Sequence, residues 1–251
     1  LIYEVHRKAK NNVGDYFCNP SRYFNFPEVI SGELMSNEFP IRNQTLIIGG
    51  GGLIHKKFNQ QIEMLIKKKP KNTVLWGIGH NFGRKAISKG INYYPEYLKQ
   101  CQLVGIRDWI DGYHKTYLPC VSCMHSAFDN TYDVKHDIVY FTHAAKTKYN
   151  GKDDETHMNN GTIDFNRVIK FLGSANTVVT DSYHGAYWAQ LLGKNVQVVN
   201  WSVKFNHMKH PPVILDSINS KIKSYNNAIP NFLDECRELN TAFYQKFLNL
   251  V

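Results

Sequence analysis

The chain has 251 residues, 43% of them apolar, enough for one large or two compact domains around a real core. No run approaches the ~18–20 apolar residues of a membrane-spanning helix, so none is expected. Thirty Lys and Arg against 21 Asp and Glu leave a formal net charge of +9; with no zinc-finger spacing and no aromatic RNA-binding signature, that excess points to a small phosphorylated ligand rather than nucleic acid.

The chain opens on Leu1, not Met. A natural start further upstream is expected, and a removed targeting segment or a longer parent protein stays open. The first element is a strand, "LIYEVH". "NNVGD", Asn11 to Asp15, follows it: Asn12 and Gly14 make a turn, and Asp15 either caps a helix or faces a ligand. "TLIIGGGG" is a buried strand ending in Gly49 to Gly52. Gly50, Gly51 and Gly52 either let the backbone approach an anion or simply turn the chain sharply. The stretch is not a dinucleotide fingerprint, because Ile54 stands where the third glycine belongs. A helix is expected from about Lys57 to Lys69, with Phe58, Ile62, Leu65 and Ile66 on one face. The Lys67–Lys69 run reads as a solvated helix C-terminus.

"NTVLWGIG" is the next strand, and its carboxyl end presents His80 and Asn81. His80 is either structural or a site residue. "LVGIRD" ends in Arg107 and Asp108; Arg107 either grips a phosphate or carboxylate or pairs with an acid between lobes. Pro119 in "YLPC" marks a strand end. The five cysteines, an odd and scattered set, read as ordinary reduced thiols, and "CVSC" lacks a second pair at zinc spacing. The compartment reads as cytoplasmic.

Near residue 130 polar turn residues intervene, and the strand–helix alternation restarts. "DIVYFTH" is a strand and "AKTKYNGKDDETHMNNG" a long loop. "IDFNRVIKFLGSA" is a helix with Phe165, Val168, Ile169 and Leu172 inward. "NTVVTD", "YHGAYWAQLLG" and "NVQVVN" form a βαβ unit, and a terminal amphipathic helix runs from about Asn231 to Val251. The fold expected is α/β with mainly parallel sheets: two Rossmann-like lobes, 1–130 and 131–251, the terminal helix packing back on the first.

The turn Asp181, Ser182, Tyr183 and His184 sits between a buried strand and a helix. Ligands bind at such strand ends, the helix N-terminus favours an anion, and an imidazole there exchanges protons near neutral pH. A cap with a buried histidine is the alternative.

Together "NNVGD", "LIIGGGGLI", "VLWGIGHN", "LVGIRD" and "IDFNRVIKFLGSANTVVTDSYHGAYWAQLLGKNV" resemble the polysaccharide pyruvyl transferase family, in the family's order, from Asn11 to about Asn200. Tyr183 stands in place of the family's Phe, and Ser182 where other members carry Arg, so that Arg's role is not carried over. The resemblance implies a glycosyltransferase-B-like two-lobed arrangement with the site in the cleft. It implies transfer of a pyruvyl group from phosphoenolpyruvate to a sugar hydroxyl pair of a polysaccharide or glycan precursor, giving a ketal. His184 matches the family's functional histidine and is the expected general acid/base; Arg107 or Lys204 would neutralise the donor. No cofactor or metal is called for, and contact with a membrane-linked glycan would be peripheral. The alternatives are a glycosyltransferase using a nucleotide sugar and a non-catalytic carbohydrate-binding module.

Overall fold

A computed structural model describes residues 1–36, 38–83, 94–110, 112, 116–147, 154–223 and 226–251. Its first half is organised by a parallel sheet of six strands: β1 (Ile2–His6), β2 (Val29–Glu33), β3 (Thr45–Ile48), β4 (Gly51–Ile54), β5 (Asn72–His80) and β6 (Leu103–Ile106). β3 and β4 share one edge of β5. The first half of β5 pairs with β3 and its end with β4, while β6 takes the opposite edge. Gly49 and Gly50 lie between β3 and β4, so the glycine run resumes as a strand instead of turning directly into the helix. β1, β3 and β5 are buried along their whole length, which is why apolar residues dominate them, with Glu4 and His6 of β1 buried as well.

Two short helices set this half's surface. α1 (Val13–Tyr16) is capped by Asn12, whose Oδ1 accepts from the N–H of Gly14 at 3.2 Å; Asn12, not Asp15, is therefore the cap. α2 (Lys56–Lys67) buries Ile62 and Leu65 and stops two residues before the expected end, with Lys69 at φ 57° and Pro70 next.

The second half holds a five-stranded parallel sheet, in the order β11 (Val213–Leu215), β10 (Asn195–Val199), β9 (Ala175–Thr180), β7 (His136–Thr142), β8 (His157–Asn159). α3 (Phe165–Gly173) starts where Asp164 accepts from the Arg167 N–H at 3.0 Å, and it buries the four residues expected plus Phe171. Each such aromatic or aliphatic side chain contributes roughly 1.5–3 kcal/mol on burial. α4 (Tyr183–Leu191) is buried on every side, with Ser182 as its cap. The expected polar loop before α3 ends in β8, which pairs with β7; residues 148–153 of it lie outside the described set. β2 and β11 had no expectation, because each is a short edge strand with exposed positions that break the pattern.

No strand pairing joins the two sheets among the described residues beyond an isolated Gly83–Ser202 bridge. Side chains join them instead. Val13, Phe17 and Cys18 pack in one cluster with Phe165, Tyr183 and Trp188. α5 (Phe232–Leu248) spans both halves: Phe232 and Cys236 belong to that cluster, while Phe243 and Phe247 pack on Trp76 of β5. Asn240 in its middle accepts from the Trp76 indole at 2.9 Å and donates to the Pro119 carbonyl at 3.2 Å. Among the described residues no helix is long and apolar enough to cross a membrane.

Candidate functional site

The carboxyl ends of both sheets open on one pocket. From the first half, the turn after β1 contributes Asn12 and Asp15, β4 contributes Gly52, and the ends of β5 and β6 contribute Asn81 and Arg107. From the second, His143 follows β7, Asn160 follows β8, Ser182, Tyr183 and His184 follow β9, and Trp201 and Lys204 follow β10. The two walls are tied directly: the Val13 N–H donates to the Asn160 carbonyl at 3.0 Å, and the Asn160 amide donates to Asn12 Oδ1 at 3.3 Å. An open parallel sheet places its ligand sites at these strand ends, and here two sheets supply them to the same space.

The pocket's electrostatics favour an anion. Arg107 is only 2% exposed, yet its Nε and Nη1 meet no acceptor among the described residues. Its guanidinium carbon lies over Tyr183, 3.8 Å from the ring centroid. Asp108, the acid beside it in sequence, meets His80 through Oδ2, and Arg107 forms no salt bridge among the described residues, so the alternative of an Arg–Asp pair between lobes is not found there. A buried guanidinium without a carboxylate is costly to the fold and suits an incoming phosphate or carboxylate. Lys204 is likewise buried, 4.0 Å from the Trp201 ring centroid, with no salt bridge among the described residues. Burial, then the Arg107 charge, brings its ammonium down to about 7. Burial raises the Asp15 carboxyl against the opposing pull of Lys204 and Arg107.

His184 occupies the first turn of α4 and is 6% exposed. Burial, then Arg107 and Lys204, push its imidazole well below the ordinary value, so it is neutral at pH 7. Burial is the largest cause of that neutrality. Nε2 lies 3.5 Å from the Cys120 thiol, and the Nδ1 edge lies over Gly14. A Cβ on Gly14 would sit 2.1 Å from that Nδ1; the bare glycine is what lets the ring stand there.

Five of the residues expected at the site do not reach the pocket wall. Gly14 acts only through its missing side chain. Gly50 is packed among the Trp76 and Gly77 carbonyls and Cys18, and accepts from the Cys18 thiol at 3.2 Å. Gly51, at φ 104°, supplies the turn into β4 behind Asp15. His80 is fully buried, its Nδ1 2.7 Å from Asp108 Oδ2. Asp181 is occupied by the His143 N–H at 2.6 Å and by the Thr147 hydroxyl, so it shapes the loop after β7 instead of meeting a ligand. Its backbone carbonyl accepts from the Trp201 indole at 2.7 Å.

Three wall residues were missed: His143, Asn160 and Trp201. His143 is the last residue of the expected strand "DIVYFTH" and Trp201 lies just beyond "NVQVVN", so the strand-end rule applied to β7 and β10 would have found them. Asn160 was hidden in the stretch read as loop. Burial, then Lys204 and Lys146, lower the His143 imidazole to about 4.

No protein-family profile matches the chain, and no curated protein matches it in sequence. In three dimensions it is similar to the crystal structure of a functionally uncharacterised protein from Klebsiella pneumoniae. The two share 16% identity and a TM-score of 0.53, over 86% of this chain and 92% of that one. At that identity the likeness concerns the fold, a mixed α/β chain with two parallel sheets.

Proposed function

We propose that this chain transfers a pyruvyl group from phosphoenolpyruvate to a pair of sugar hydroxyls in a polysaccharide or glycan precursor, forming a pyruvate ketal. The observation that carries the proposal is the buried Arg107 guanidinium, whose Nε and Nη1 meet no acceptor among the described residues, lining one pocket with Lys204 and His184. Phosphoenolpyruvate brings a phosphate and a carboxylate to those two cations. On this reading residues 1–130 and 131–251 are two lobes in a glycosyltransferase-B-like arrangement, and the reaction takes place in their cleft, in the cytoplasm.

The reaction needs a proton on the methylene carbon of the donor and the removal of protons from two hydroxyls. One hydroxyl adds to the adjacent carbon, phosphate leaves, and the second hydroxyl closes the ring. Of the two hydroxyl protons released, one balances the new methyl group and the other departs with phosphate. Neutral His184 takes the hydroxyl proton, and Asp15, which lines the same pocket, is the carboxyl assigned to pass a proton to the methylene carbon. Trp201, anchored through its indole N–H, carries the Lys204 ammonium over its ring and so fixes that cation for the donor.

The test is a donor-binding screen by calorimetry or thermal shift. Phosphoenolpyruvate should bind and stabilise the protein, and Arg107→Met should remove the effect. Binding of a nucleotide sugar in its place would assign a glycosyltransferase, and binding of neither would leave a carbohydrate-binding module.

A further inference from the structure

Behind the pocket wall lies a second cluster that the proposed transfer does not use. His80 ends β5, Asp108 follows β6, and His207 follows the short 3-10 turn Val203–Phe205 of the second half. One ligand atom from each of the three lies within 4.8 Å of the others. The His80 and His207 rings stand edge to face with centroids 5.4 Å apart. His80 and Asp108 are fully buried and His207 is half-buried, so the third corner gives access from outside.

Hydrogen bonding accounts for only part of this arrangement. Asp108 Oδ2 receives the His80 backbone N–H and faces His80 Nδ1, each at 2.7 Å. Asp108 Oδ1 and His207 Nδ1 are buried and meet no partner among the described residues. A buried carboxylate oxygen and a buried imidazole nitrogen left without partners each keep the cost of their lost hydration. A cation between them would satisfy both.

We propose that His80, Asp108 and His207 form a binding site for a divalent transition-metal ion of the zinc type, which clasps the two halves together behind the pocket. Two imidazoles and one carboxylate are borderline donors, which suit Zn²⁺ or Co²⁺ far better than Mg²⁺ or Ca²⁺. The ion takes the place of the proton between His80 Nδ1 and Asp108, and that proton is released to solvent. Ligand bonds of about 2.0–2.2 Å need donor separations near 3.3 Å, so the His80 Nδ1–Asp108 pair opens from its 2.7 Å and the half-buried His207 ring closes in by up to about 1.5 Å from its place within 4.8 Å. The His207 carbonyl is already held by the Trp109 N–H at 2.8 Å, which fixes the backbone from which the ring swings. Three protein ligands leave the fourth position of a tetrahedral ion to water.

The test uses the full chain without a histidine tag, freed of metal by dialysis against a chelator and titrated with Co²⁺ and with Zn²⁺. The expected result is saturable binding of one ion per chain, a Co²⁺ visible spectrum of tetrahedral nitrogen–oxygen type without thiolate charge transfer, and a raised Tm with Zn²⁺. His207→Gln should weaken binding at least tenfold and remove the Tm rise, His207→Asp should restore part of both, and His157→Gln, a control away from the cluster, should change neither. Absence of one-to-one binding by the unaltered chain would overturn the proposal without recourse to any variant. So would a thiolate spectrum, or binding that His207→Gln leaves unchanged.

Discussion

Replacing Gly14 by Ala tests how the pocket seats His184. The added Cβ would lie 2.1 Å from His184 Nδ1, 2.5 Å from Cγ and 2.9 Å from Cε1, where ordinary contacts run from 3.4 to 4 Å. The overlap is on the order of 1 Å, and overpacking of this kind costs about 1–3 kcal/mol. The ring has little room to yield, because α4 is buried on every side and the Cys120 thiol stands 3.5 Å from its other nitrogen. The backbone works in the opposite direction, since Ala in a helix is better than Gly by roughly 0.5–1 kcal/mol. The net expectation is a loss of about 1–2 kcal/mol, or roughly 2–8 °C in Tm for a chain of this size. A displacement of about 1 Å at a reacting group costs about 10²-fold in rate. The assay pairs thermal melting with phosphate release from phosphoenolpyruvate. In a His184→Ala background the collision is gone, and Gly14→Ala should cost nothing in stability. A Gly14→Ala protein with unchanged melting and turnover would refute this reasoning, as would a stability loss that persists without the His184 ring.

Arg107→Met should raise Tm, because it removes a buried charge that lacks an acceptor, while donor binding falls at least tenfold; calorimetry beside a melting curve reads both. Lys204 has a folded value of about 7, below its ordinary value of 10.5. The folded state therefore holds fewer protons than the unfolded chain between those two pH values. The burial cost of the charged lysine is fully present below about pH 7 and is relieved as pH rises through that window, so this group makes the free protein more stable on the alkaline side. Donor affinity should run the other way and weaken above about pH 7, and a Lys204→Arg variant measured from pH 6 to 9 should lose that component of the profile. Asn240→Leu should cost about 1–3 kcal/mol in chemical denaturation, since it leaves the buried Trp76 indole N–H and the Pro119 carbonyl without their partner.

The parallel α/β texture was legible because its central strands carry buried apolar stretches, Val74–Ile78 in "NTVLWGIG" and Val178–Val179 in "NTVVTD". β2 and β8 were not, because pairing on one edge constrains few of their side chains. Strand ends located Asn12, Asp15, Gly52, Asn81, Arg107, Ser182, Tyr183 and His184 at the pocket, and Lys204, named with the family resemblance, lines it too. The same rule could not distinguish a polar group that faces the pocket from one held by a neighbour. His80 and Asp181 illustrate this: each follows a buried strand, but Asp108 holds the first and the loop after β7 holds the second. Such pairings join residues 28 and 38 positions apart, and no local spacing announces them.

The central claim is that one pocket binds an anionic donor through Arg107 and passes a hydroxyl proton through His184. Phosphate release from phosphoenolpyruvate, measured with a panel of glycan acceptors for the unaltered chain and for His184→Gln, tests it most directly. The account predicts acceptor-dependent release that falls by roughly 10²–10⁴ in His184→Gln while the melting curve still shows a folded protein. Equal release by a well-folded His184→Gln protein, or no release by the unaltered chain with any acceptor while a nucleotide sugar binds the same pocket, would contradict it.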